Sequence, residues 1–108
     1  ALSVLQPDLA KWGGVSGCLA VARKAMASGR RYCPHFLGAG IGLAMSAHVL
    51  AAAGGDGLLE MDVNPNPLRD LLTGGLSPVS AGRVRLPEVP GYGHPPDLPA
   101  LRGFAVAA

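Results

Sequence analysis

Charge is scarce in this 108-residue chain: nine Lys and Arg against seven Asp and Glu leave a formal net charge of +2, and charged residues make up 15% of the total. The basic residues are scattered, so no nucleic-acid footprint is present; small anionic substrates stay compatible with the balance. Cysteine is scarcer still. Cys18 and Cys33 are the only two, and neither a second pair nor a His at ligand spacing completes a zinc site. A reduced, cytoplasmic environment fits them. Long apolar runs are missing too. The nearest approach to a membrane span, Phe36 to Ala53, contains five Gly, Ser or His residues, which makes it a core helix and argues against a membrane protein. The amino end lacks a signal-peptide layout. What is present is a content of 49% hydrophobic residues, enough for a packed globular domain. The 16 Gly and 10 Pro gather in loops and in the carboxyl-terminal third, which predicts an irregular, extended tail.

Short apolar or strand-like runs alternate with helical patterns. Leu2 to Leu5 reads as a first strand, and Lys11 to Ser16 as a loop in which Ser16 caps a helix from about Gly17 to Ser28. Leu19, Ala22 and Met26, with Val15 and Ala25, form its apolar stripe, and Arg23 and Lys24 face water. Gly29 supplies a left-handed stop. Arg31-Tyr32-Cys33 is a second strand by its position between two helices. A second helix is expected from Gly40 to Ala53, with Ile41, Ala44, Met45, His48 and Ala52 on one side and Leu43, Ala47 and Leu50 beside them. Gly54 to Gly57 ends it, and Leu58 to Met61 follows as a third strand. Asn64-Pro65-Asn66-Pro67 then forbids a regular helix, Leu68 to Leu72 allows one turn, and Gly82 to Pro87 alternates like a short edge strand. No fourth βα unit follows. Three parallel strands with two helices leave two open edges and uncovered faces, and the chain opens on a strand without a Met. It is therefore expected to be the carboxyl-terminal part of a larger barrel, which needs eight strands and roughly 250 residues.

Asp8, His35 and Glu60 each follow one of the three runs, 27 and 25 residues apart. In a parallel α/β array the equivalent strand ends converge on one rim, so an acid, an imidazole and a second acid would meet there as a proton-transfer site. Each has a plainer reading: a turn residue for Asp8, a hydrogen-bonded core histidine for His35, and a loop salt bridge for Glu60. Lys11 reads as a contact to a neighbouring loop or a substrate anion, His48 as helix packing, His94 as a solvent-facing tail residue and Trp12 as a loop anchor. Gly38-Ala39-Gly40-Ile41-Gly42 lacks the Lys of a phosphate loop and reads as a helix start that packs closely.

Gln6-Pro7-Asp8-Leu9-Ala10-Lys11-Trp12-Gly13-Gly14-Val15-Ser16, Pro34-His35-Phe36 and Leu59-Glu60 together closely resemble the end of the catalytic barrel in the mandelate racemase and muconate lactonizing branch of the enolase superfamily. Asp62-Val63-Asn64-Pro65-Asn66-Pro67-Leu68-Arg69 and Gly91-Tyr92-Gly93 resemble the segment by which such proteins return to their capping domain. The resemblance covers essentially the whole chain. It implies an α/β fold in which residues 1–62 are the last βα units of a TIM-like barrel, about strands six to eight, and residues 63–108 are an extension packing towards a capping domain. It also implies that Asp8 and His35 are the family's His-Asp dyad and Glu60 its eighth-strand acid.

The activity so implied is abstraction of the proton α to the carboxylate of a small substrate, in a magnesium-dependent enzyme. His35 would be the base, Asp8 would fix its tautomer, and Glu60, if protonated, would donate to the developing enediolate. The family's Mg2+ ligands sit on the third to fifth strands and its alternative Lys base on the second, so none is expected in this chain. Lys11 is no substitute, because it lies after the sixth strand. An acid-sugar dehydratase is the first expectation, with a racemase or epimerase beside it, homo-oligomeric when intact. Two other readings stand against it: a non-catalytic fragment or remnant of such an enzyme, and a small independent α/β binding module.

Overall fold

A computed structural model describes residues 2–106. Two short strands, β1 (Val4–Leu5) and β2 (Arg31–Tyr32), pair in parallel with Val4 opposite Arg31 and Leu5 opposite Tyr32. The contact runs on past both strands. Arg31 N donates to Ser3 O at 3.0 Å, Cys33 N to Leu5 O at 3.0 Å and His35 N to Pro7 O at 3.3 Å. The return bond at the last step would need an N–H from Pro7, which proline lacks. The ladder is thereby one-sided as it reaches Asp8 and His35.

Between the strands, α1 (Gly14–Ala27) starts three residues earlier than the sequence predicts. Gly13 and Gly14 adopt φ of 70° and 60°, a left-handed turn that glycine takes without a Cβ penalty and that swings the chain into the helix before Ser16 is reached. Ser16 makes no capping bond. At the other end the predicted stop is present: Gly29 has φ 69°, and Arg30 N donates to Ala25 O at 2.9 Å, closing the helix as such left-handed ends do. Cys18, Ala22 and Ala25 form the buried stripe, whereas Val15 is exposed.

The second long helix, α2 (Gly40–Ala53), has the predicted bounds. Of the two rows the sequence predicts, Leu43, Ala44 and Ala47 are buried; Val49, outside both rows, is buried with them, and Ile41 and Ala52 are exposed. The helix is covered on two sides, so one amphipathic stripe does not describe it. On one side Val49 joins Cys18, Ala22 and Tyr32; on the other, Leu43 and Ala47 join Phe36 and Leu76, with Leu59, Met61, Val84 and Leu86 packed around them. The second cluster fastens the tail to the helix. Both cysteines are buried and free, and burial pushes the Cys18 thiol up, which makes it unreactive.

The predicted third strand is not formed. Residues 58–61 pass beside the end of β2, but the Leu58 N–H goes to Cys33 Sγ at 3.3 Å rather than to a backbone carbonyl. The predicted edge strand at Gly82 to Pro87 is also absent. In its place Ala81 (φ 49°) and Gly82 (φ 70°) make a two-residue turn, and Ser80 and Arg83 exchange both backbone bonds. Left-handed φ at both central residues is the hairpin turn's signature, and beyond Pro78, which has no N–H to give, the arms meet once more, Ser77 N donating to Arg85 O at 3.0 Å. The expected turn after Asn66 is α3 (Pro67–Leu71), capped by the Asn66 side chain on Arg69 N. A short α4 (Leu98–Leu101), capped by Asp97, was not anticipated from the sequence. No helix among the described residues is long and apolar enough to cross a membrane.

Candidate functional site

Asp8 lies three residues beyond β1 and His35 three beyond β2, at the same end of a parallel pair. Equal offsets in register bring them together: His35 Nδ1 is 3.2 Å from Asp8 Oδ2. Asp8 is buried and firmly held. Its backbone carbonyl accepts from Lys11 N at 3.1 Å and Trp12 N at 2.8 Å, and its Oδ1 accepts from Ala10 N at 2.9 Å. The turn lifts Lys11 back over the carboxylate, where Nζ reaches Oδ2 at 2.9 Å. Burial alone would raise the Asp8 carboxyl, but the bonds from Lys11, His35 and the Ala10 amide outweigh it and hold it below the usual carboxylate range.

An ionised Asp8 can only accept, so Nδ1 of a neutral His35 must carry the ring proton and Nε2 keeps its lone pair. Glu60 faces that second nitrogen. Its Oε2 is 3.9 Å from Nε2, too far for a hydrogen bond, and accepts from Phe36 N at 2.9 Å. Two carboxylates thus flank one imidazole, one on each nitrogen. About a third of the His35 side chain and a third of Glu60 are exposed, so the rim is open to a ligand. The arrangement has the parts of a general base held by an orienting acid.

The remaining sequence candidates have other occupations. His48 Nε2 lies 3.2 Å from Tyr92 O, which ties α2 to the tail. His94 is exposed. The glycines around α2's start meet protein rather than a phosphate: the Phe36 ring lies against Gly38 and Gly42, and Gly40 sits against the backbone of Arg69 to Thr73. Trp12 is half exposed; its carbonyl accepts from the Cys18 thiol at 3.4 Å. Two contacts were not foreseen. One is the ion pair of Lys11 with Asp8; an Asp and a Lys three residues apart meet whenever the loop between them turns helically. The other is Arg69, whose Nη1 donates to Asp62 O at 2.7 Å and Asn64 O at 2.8 Å just after Glu60.

Among the described residues no three His, Cys, Asp or Glu side chains converge in a set that could hold a metal ion. An apolar groove of about 440 Å3 opens beside β1 and α1, lined by residues that include Leu2, Leu5, Val21 and Ala25. It shares no residue with the Asp8, His35 and Glu60 rim, and its charged lining residues are the cations Lys24 and Arg30, with no carboxylate or imidazole beside them.

A parallel α/β unit with a His-Asp pair at its strand ends defines the class. A family model described as enolase C-terminal domain-like matches residues 1–100, and the chain belongs to that family, in the mandelate racemase and muconate lactonizing branch of the enolase superfamily. A crystal structure of a mandelate racemase/muconate lactonizing enzyme from Bordetella bronchiseptica is 59% identical, with a TM-score of 0.88, over 96% of this chain and 30% of that one. Arabinonate dehydratase of Saccharolobus solfataricus is 31% identical over 94 residues, covering 87% of this chain and 25% of that protein. D-galactarolactone cycloisomerase of Agrobacterium fabrum is 32% identical, covering 96% of this chain and 30% of that protein. The chain thus spans less than a third of the length of the relatives it matches.

Proposed function

We propose that this chain is the base-bearing part of an enolase-superfamily enzyme that removes the proton α to the carboxylate of a small substrate. The observation that carries the reading is the His35 ring with Asp8 Oδ2 on Nδ1 at 3.2 Å and Nε2 left unbonded at the open rim. In the step, the Nε2 lone pair takes the α-proton, the Cα–H pair moves into the carboxylate to give an enediolate, and the ring becomes an imidazolium. Asp8 stabilises that cation and keeps the ring oriented, as an orienting acid does for a histidine base. Glu60 would act on the other side, donating to the enediolate if protonated when substrate excludes water.

The magnesium that the family resemblance implies would neutralise the substrate carboxylate. The same resemblance would place its ligands on the third to fifth strands of an intact enzyme, outside this chain. On this reading the chain supplies about strands six to eight of the barrel. An acid sugar is the substrate class that fits best, because the similar proteins include a dehydratase of a sugar acid and a cycloisomerase of a sugar-acid lactone.

The test is His35→Asn in the full-length enzyme that contains this segment. Exchange of the substrate α-proton with solvent deuterium is expected to fall by about 10²–10⁴-fold, with magnesium binding nearly unchanged. Exchange at the wild-type rate would show that another group is the base.

A further inference from the structure

We propose that Lys11 is a positioning residue that sets the pH range in which His35 works, by sharing one oxygen of Asp8 with it. This rests on the reading of His35 as the base. Lys11 Nζ at 2.9 Å and His35 Nδ1 at 3.2 Å meet the same Oδ2. The ammonium and the ring nitrogen therefore lie no more than about 6 Å apart, close enough for a direct charge effect even in a watery medium. Asp8 Oδ1 accepts from the Ala10 amide, which holds the carboxylate in the orientation that turns Oδ2 to both Lys11 and the ring.

Among the described residues, three charged or titratable groups face the His35 ring: Asp8 and Lys11 from the loop after β1, and Glu60 from residues 58–61. The two carboxylates favour the imidazolium, and Lys11 is the one cation among them. A protonated ring cannot take a proton from substrate. Lys11 offsets part of that field. It does so from the surface, with 68% of its side chain exposed, where an ion pair adds little to stability. Its effect therefore falls on protonation rather than on folding.

The experiment is the pH dependence of kcat/KM for α-proton exchange in the full-length enzyme, comparing wild type, Lys11→Met and Lys11→Arg. Removing a unit charge about 6 Å away moves the acid limb of the Lys11→Met profile to higher pH by about 0.5 unit, while the plateau rate at alkaline pH stays within about threefold of wild type. Lys11→Arg returns the limb to its wild-type position. An acid limb that coincides in Lys11→Met and wild type overturns the proposal, and so does a loss of rate equal at every pH and not restored by Arg. His35→Asn serves as the separate control: retained exchange in that variant removes the base reading itself, whereas its loss together with an unmoved Lys11→Met limb removes only the role of Lys11.

Discussion

Gly57 is the position where a single added carbon should reach the site through the backbone. A Cβ there would fall far inside contact with the Tyr32 carbonyl oxygen and 2.9 Å from Leu50 Cδ1. The leucine methyl can rotate away, but the carbonyl belongs to β2 and is fixed by the sheet. Residue 57 must instead retreat by about 1.5 Å to regain ordinary contact, drawing with it the segment that ends in Glu60. The bond from Phe36 N to Glu60 Oε2 is 2.9 Å, and lengthening it by about 1 Å takes it out of hydrogen-bond range. Overpacking of this kind costs about 1–3 kcal/mol, and a displacement of about 1 Å at reacting groups costs on the order of 10²-fold in rate. Gly57→Ala in the full-length enzyme is therefore expected to lower α-proton exchange by about 10²-fold and to lower the melting temperature. Gly29→Ala is the control, because Gly29 has φ +69° with open space where a Cβ would sit. It should cost about 1 kcal/mol in backbone strain at the end of α1 and leave the exchange rate alone. Wild-type exchange in Gly57→Ala would refute the argument, and equal rate losses in the two variants would show that rate follows stability rather than the position of Glu60.

Two further substitutions test the buried polar groups. The Tyr32 hydroxyl is buried without a hydrogen-bond partner, so Tyr32→Phe is expected to change the unfolding free energy by less than about 1 kcal/mol, and in the stabilising direction. Burial, with Cys18 beside it, pushes the Tyr32 phenol up to about 12. Its folded value lies above its ordinary value of 10.0, so its contribution is complete below pH 10 and is lost as pH rises towards 12. Alkaline denaturation followed by circular dichroism should show that loss in wild type and not in Tyr32→Phe. Asp8 has the opposite sign. Its folded value is below the usual 3.8, so its contribution is present above that value and disappears as pH falls through the folded one. Asp8→Asn should remove this part of the acid unfolding curve and cut exchange by about 10²–10⁴-fold through the wrong imidazole tautomer; a wild-type rate would show that the ring needs no carboxylate.

The parallel pairing and α2 were legible because local signals and packing agree there. Gly40 and Gly54 bracket an uninterrupted helical run, and Gly29 stands where a left-handed end is needed. The start of α1 was misread because Ser16 has the chemistry of a cap, while the decision lay in the backbone freedom of Gly13 and Gly14. The third strand was misread because Leu58 to Met61 has strand composition, yet its first amide meets the Cys33 thiol, a partner that no periodicity encodes. In the site, the convergence of Asp8, His35 and Glu60 followed from their spacing, since each lies beyond an equivalent run. Lys11 escaped because the residues after Asp8 look like an open loop. Only the bonds from Lys11 N and Trp12 N to Asp8 O reveal the turn that brings its side chain back.

The two halves of the candidate site are held by different means. Asp8 and His35 hang from paired backbone: the bonds at Ser3, Leu5 and Pro7 step along β1 directly to His35 N, so moving the ring away from Asp8 means breaking a sheet. Glu60 has no ladder behind it. Its neighbours Leu59 and Met61 pack with Leu76, Val84 and Leu86 of the tail, and Arg69 grips the carbonyls of Asp62 and Asn64. Alternation along an extended chain turns residue 60 away from the side on which 59 and 61 are buried, which aims it at the rim. The 3.2 Å contact between His35 and Asp8 is thus a property of the sheet, whereas the 3.9 Å separation from Glu60 depends on the tail staying packed. Loosening the tail should therefore disturb the acid facing Nε2 before it disturbs the His35–Asp8 contact, so that the two contacts are separable in the same molecule.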